Sequence, residues 1–181
     1  VMNARPYFAT LARYNAWATR RLFGHVDALP EADYRRDAGL FFRSIHGTLN
    51  HLLVAERELW RRRFAEGVSP RLALDAELET GRHRLRERLI EGAEGWAPLI
   101  ASWPEDRFEG LLEYTSTQGV AMRLPVAPTL AHVFNHGTHH RAGTDRPVSA
   151  VRVGGARWKR QATLTGQARR PGPAGPEDRP G

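Results

Sequence analysis

The chain has 181 residues, 41% of them hydrophobic, with 27 basic against 20 acidic side chains and no cysteine. That length and apolar content suit one domain with an appendage and a core of ordinary size. Lack of cysteine excludes disulfides, thiolate metal ligands and a cysteine nucleophile, and no run approaches the ~18 apolar residues of a membrane span.

The N-terminal stretch VMNARPYFATLARYNAW mixes Arg and Asn among its apolar residues. It has no uninterrupted apolar core and no small-residue cleavage site, so no signal peptide is expected and the location expected is cytoplasmic. From Pro6 to Leu29, apolar residues recur at Tyr7, Leu11, Tyr14, Ala18, Leu22 and Val26. Steps of three and four predict a helix with this stripe inward, and Pro30 ends it. On this pattern Tyr7, Tyr14, Trp17 and, on the next helix, Trp60 are expected in the core. A second helix is predicted from Ser44, a candidate N-cap, to about Ala65, with Gly67 as its C-cap and Pro70 beyond. Its inner arc holds Ile45, Leu49, Leu52, Leu53, Glu56, Leu59 and Trp60. The arginines at 61–63 are expected on a solvated face.

A third helical pattern runs from about Leu74 to Trp103 through Leu74, Leu78, Leu85 and Leu89, with a break expected near Gly92 and an end at Pro104. The texture then changes. FEGLLEYTSTQGVAMRL, Phe108 to Leu124, alternates, turns at STQG and alternates again, which predicts a short β-hairpin. Pro125 and Pro128 follow, and a fourth helix is expected from Thr129 to Arg141. Four helices and a hairpin make an all-α bundle the expected fold class.

After Arg141 the composition shifts. Twelve of the last 40 residues are Gly or Pro, the level of low-complexity chain. Eight of the basic and three of the acidic residues also lie there, leaving 19 basic and 17 acidic residues in the first 141. The domain division expected is therefore a bundle over residues 1–143 and an irregular or disordered basic tail over 144–181. A GC-rich gene read in a shifted frame yields such Arg/Gly/Pro/Ala-rich sequence. Lys159 is the sole lysine, and the arginine richness is read as codon bias, not as phosphate recognition.

HVFNHGTHHR, from His132, crowds four of the eight histidines into nine residues. His136 and His140 stand four apart, so their imidazoles lie one above the other on one helical face and can converge on one divalent ion. His140 lies nearest the apolar stripe of Leu130, Val133 and Phe134; His139 points most towards solvent. Two ligands rarely hold a metal tightly, so a third is expected from another helix, and His46 and His51 both qualify by spacing. A metalloprotease H-E-x-x-H motif is excluded, because Gly137 stands where the glutamate is needed. His25 and His83 sit among polar neighbours and are read as solvated.

YNAWATRRLF (Tyr14 to Phe23), SIHGTLNHLLVAERELW (Ser44 to Trp60) and HVFNHGTHHR together resemble the DinB-like family of damage-inducible bacterial four-helix-bundle metalloproteins. The resemblance covers about residues 3–141, and the last block is its most specific part. It implies an up-down-down-up four-helix bundle with a hairpin before the last helix, often a homodimer. It also implies a divalent metal, zinc or nickel, held by His51, His136 and His140. Related bundles include thiol-dependent isomerases and S-transferases that use low-molecular-weight thiols, so the function implied is a metal-dependent enzyme of that kind with a small-molecule substrate. Three neutral imidazoles leave an open position at the metal; Asn135 and Glu56 are candidates to orient them. The rival reading is a non-catalytic metal-binding stress protein. Nucleic-acid binding through the basic tail ranks last, because no DNA-binding motif accompanies the charge, and no membrane partner is expected. The family pattern continues past HHR with Gly-Gln, where this chain has Ala142-Gly143.

Overall fold

A computed structural model of the protein describes residues 3–152, the last eight of them by backbone only. The long helical segments are α1 (Ala4–Val26), a second rod from α3 (Ile45–Leu52) through a π-wound stretch (Leu53–Arg61) into α4 (Arg62–Glu66), a third from α5 (Arg82–Glu94) and α6 (Trp96–Ala101), and α7 (Val126–Arg152). A short α2 (Glu31–Arg35) lies between the first two rods. A 3₁₀ turn (Glu105–Glu109) leads into a two-stranded antiparallel hairpin, β1 (Leu111–Thr115) with β2 (Ala121–Pro125), in which Glu113 faces Arg123.

Cross-helix contacts give the directions of the rods. On the second and third, Arg57 meets Glu91 at 3.3 Å and lies against Gly92, Arg61 lies against Gly95, and the numbering climbs together, so these rods are parallel. Asp27 pairs with Arg86 at 3.2 Å, Arg20 with Glu94, and Arg5 with Glu105 at 3.3 Å, so α1 runs against the third rod. Tyr7 and Leu11 share a cleft with Ala131 and Phe134, and Trp17 and His25 one with Ala142, so α1 and α7 are parallel. Trp60 lies against His132 and His51 against His136 and His140, which sets α7 against the second rod. The order is up-down-down-up, as the resemblance implied. The 15-residue link from Gly67 to Gly81 lets two parallel rods follow each other.

Local chemistry explains the ends. The Ser44 hydroxyl accepts from the Gly47 N–H at 2.9 Å, the cap predicted for the second helix. Gly67 closes that rod with φ 71°, a left-handed turn that glycine adopts without strain. Pro125 and Pro128 do not delay α7 to Thr129. Proline belongs in a first helical turn, where no intrahelical N–H is needed, so the helix begins at Val126.

Three expectations are corrected. The fourth helix does not stop at Arg141; its backbone stays helical to Arg152, and the Thr144 hydroxyl, on a fully buried side chain, donates to the His140 carbonyl at 2.9 Å. Composition averages over 40 residues, whereas helix propagation depends on the few residues next in line. Only residues 153–181 of the expected tail lie outside the described residues. Second, the third rod begins at Arg82, not Leu74, and breaks at Gly95, not Gly92. Third, Tyr7, Tyr14 and Trp17 are 43%, 48% and 50% exposed, while Trp60 is half-buried. The buried stripe of α1 is Phe8, Ala12, Asn15, Ala16, Thr19, Leu22, Phe23 and Val26; it keeps Leu22 and Val26 of the predicted stripe and before them lies about one residue, ~100°, round from it.

Among the described residues the core has two apolar clusters. One gathers Phe8, Phe64, Trp96, Leu112, Leu130 and Phe134 at the hairpin end. The other gathers Phe23, Tyr34, Ile45, Leu49, Leu53 and Leu85 at the α2 end. Between them in chain position, α1 contributes Asn15 and the second rod Glu56, both buried. Arg63, far from solvated, stacks over Trp60 and Tyr114 with its guanidinium 4.5 and 4.7 Å from the ring centres.

Candidate metal centre

His51 is on the last turn of α3, and His136 and His140 are on successive turns of α7. The antiparallel packing of these rods brings the three together. Their ring centres stand 5.1, 4.7 and 4.5 Å apart, and one nitrogen from each lies within 4.8 Å of the others. His51 is buried and the other two half-buried. Among the described residues this is the group of histidines and acids arranged so that it could hold a metal ion.

The protonation pattern suits that use. Nδ1 of His51 lies 2.8 Å from the Leu74 carbonyl, which can only accept, so Nδ1 carries the proton and Nε2 presents its lone pair to the centre. That Nε2 is 3.2 Å from Nε2 of His136. Two imidazole nitrogens bound to one tetrahedral zinc at ~2.0–2.1 Å stand about 3.3–3.4 Å apart. Nδ1 of His136 is buried without a protein partner, so no protein acceptor dictates its tautomer. In the metal-free chain Nε2–H of His136 can donate to the lone pair of His51 Nε2, and a cation bound between the two would take the place of that proton.

The electrostatics keep the imidazoles neutral. Burial, and then the neighbouring His140 and His51, pull His136 down to about 3. Burial and then His51 and His139 pull His140 down to about 4. Burial lowers His51 against the opposing pull of the Leu74 carbonyl. Neutral imidazole is the form that binds metal.

An aromatic side chain covers the centre. Leu40 and Arg43 close a tight turn, with Arg43 at φ 67° in the left-handed region. The turn places Phe42 flat on His51, ring centres 3.8 Å apart, and 5.7 Å from His140. Phe41 beside it is 88% exposed. Neither residue carried a signal in the sequence.

The other expectations divide. His46 is apart from the centre: its Nδ1 is 3.0 Å from the Tyr34 hydroxyl and its Nε2 2.8 Å from Glu77. His132, His139 and His83 are exposed, and His25 is half-buried. Asn135 is exposed and Glu56 is bound elsewhere, so neither is seen to orient an imidazole. That role falls to the Leu74 carbonyl, from the link that the sequence pattern assigned to a helix.

Comparison with known proteins gives the family. The family model described as DinB family matches residues 2–144. The Protein DinB of Bacillus subtilis (strain 168) is 28% identical over 144 residues, which cover 72% of this chain and 78% of that protein. No solved structure matches.

Proposed function

This chain belongs to the DinB family, and from that membership and the imidazole geometry we propose that it is a metal-dependent enzyme whose zinc or nickel ion is held by His51, His136 and His140. The observation that carries the reading is the convergence of three neutral imidazoles, one with its tautomer fixed by the Leu74 carbonyl. A divalent ion held there supplies Lewis-acid chemistry, lowering the pKa of whatever water or thiol occupies its remaining position. The chain's own residues do the rest. His51 is oriented by a backbone acceptor, His136 and His140 are held one helical turn apart, and Phe42 shields the His51 ring from water. The reaction class is transfer or isomerisation dependent on a low-molecular-weight thiol, with a small-molecule electrophile as substrate. The protein acts as a homodimer, for which exposed Tyr7, Tyr14 and Trp17 on α1 offer apolar surface.

The test is a screen of the zinc- and nickel-loaded protein with low-molecular-weight thiols and electrophiles, together with the visible spectrum of the cobalt-substituted protein. The reading expects turnover that the His136→Ala variant loses, and a cobalt spectrum that responds to added thiol. No turnover and a closed cobalt spectrum indifferent to thiol would favour the non-catalytic metal-binding protein instead. Among the described residues no helix is long and apolar enough to cross a membrane.

A further inference from the structure

We propose that Glu56 is a positioning residue for the histidine centre: its buried carboxylate, lodged against Gly137 and held by Arg141 and Asn15, fixes the register between the two rods that carry the ligands. The inference rests on the reading of His51, His136 and His140 as metal ligands.

Glu56 follows His51 by five residues. On an α-helix, residues five apart diverge by about 140°. The rod is π-wound from Leu53 to Arg61, and π turns close i to i+5, which brings such residues towards one face. His51 and Glu56 accordingly both reach α7. The carboxylate accepts from Asn15 Nδ2 at 2.8 Å and from Arg141 Nη1 at 3.3 Å, and its side chain and that of Arg141 are 6% and 8% exposed. One buried group thus joins α1, the second rod and α7.

Its attachment points on α7 adjoin the ligands in sequence. Arg141 follows His140, and Gly137 follows His136. A Cβ at position 137 would run into Glu56 Oε1 and stand 3.0 Å from Arg141 Nη1. The missing side chain is therefore the socket for the carboxylate. The residue that removes H-E-x-x-H chemistry from α7 admits a carboxylate from the facing rod instead. A slide of one helical residue along the axis is ~1.5 Å, enough to spoil three nitrogens that must meet at one ion. Apolar side chains can repack through such a slide, but a buried ion pair in a glycine socket cannot, because it would leave an unpaired buried charge.

The test measures zinc affinity by competition with a chromophoric chelator, and the visible spectrum of the cobalt-substituted protein. The variants are Glu56→Gln, Gly137→Ala, Gly137→Ala/Glu56→Asp, and Leu89→Ala as a core control remote in sequence from the centre. Glu56→Gln and Gly137→Ala are expected to weaken zinc binding by about 10–100-fold, as loss of supporting groups around a metal does, and to alter the cobalt spectrum. The shorter Asp in the double variant withdraws the carboxylate from the new methyl and is expected to recover part of the loss. Leu89→Ala is expected to lower the melting temperature with affinity and spectrum unchanged. Parental affinity and spectrum in both Glu56→Gln and Gly137→Ala, with lowered melting alone, would overturn the proposal. So would a loss in Leu89→Ala equal to theirs. Should Glu56→Gln not fold, Gly137→Ala and its Asp double decide the matter: recovery in the double supports the socket, and no recovery overturns it. Zinc binding that survives His51→Ala unchanged would overturn the ligand reading itself, a result distinct from the others.

Discussion

Replacing Arg141 by methionine removes the cation that faces Glu56 while keeping an apolar stem in the same space. In the parent chain Glu56 is already raised above the usual carboxylate range, because burial outweighs the lowering effects of Arg141 and Asn15. Without Arg141 it rises further. A buried carboxylate deprived of its partner either stays charged, at about 3–5 kcal/mol, or takes a proton. The sign follows from linkage: a group whose folded pKa lies above its unfolded value favours the folded state at low pH, and that contribution is lost as pH rises through the folded pKa. Arg141→Met is therefore expected to lose about 3–5 kcal/mol at pH 8. Towards pH 5 the neutral acid is increasingly favoured, and the loss shrinks towards that of the absent hydrogen bonds, about 1–2 kcal/mol. For a domain of this size the pH 8 loss corresponds to a melting temperature lower by roughly 6–20 °C. Urea unfolding of parent and variant at both pH values measures the difference directly. Equal losses at pH 5 and pH 8 would refute the reasoning, since they would mean that the charge of Glu56 does not matter.

Three further outcomes are expected. The metal-free protein should lose stability as pH falls from about 6.5 towards 3, because the unfolded chain takes up protons that His136, near 3, and His140, near 4, refuse; urea unfolding across that window checks this, and a flat profile would contradict it. Ser44→Ala removes the hydroxyl that accepts from Gly47 N–H and should lower unfolding free energy by about 1 kcal/mol, read from a urea midpoint shift at constant slope. Trp17→Glu places a charge on the exposed aromatic face of α1 and should shift the sedimenting species from dimer to monomer; a parent chain already monomeric would overturn the homodimer.

Several parts of this molecule are legible in the sequence because they depend on near neighbours. The Ser44 cap, the Gly67 turn and the hairpin around Ser116–Val120 each follow from residues a few positions apart. The pairing of His136 with His140 is a matter of helical spacing, and the family motif chooses His51 over His46. Other parts depend on what lies across the fold. The predicted stripe of α1 holds at Leu22 and Val26 but is one residue out of phase up to Ala18, since a run of apolar residues at steps of three and four allows more than one face. The link before Arg82 carries Leu74 and Leu78 at helical spacing, yet its backbone is satisfied by side chains of the second rod: Asn50 Oδ1 accepts from Leu78 and Glu79, and His51 donates to Leu74. Neither the π winding that turns Glu56 towards α7 nor the glycine socket that receives it has a local signature. In the sequence Gly137 is legible only as the absence of a catalytic glutamate.

The central claim is that these three imidazoles hold one metal ion together, and metal analysis of the purified chain tests it most directly. The account predicts about one divalent ion per chain, lost in each of His51→Ala, His136→Ala and His140→Ala and retained in His46→Ala. Undiminished metal content in all three single variants would contradict it.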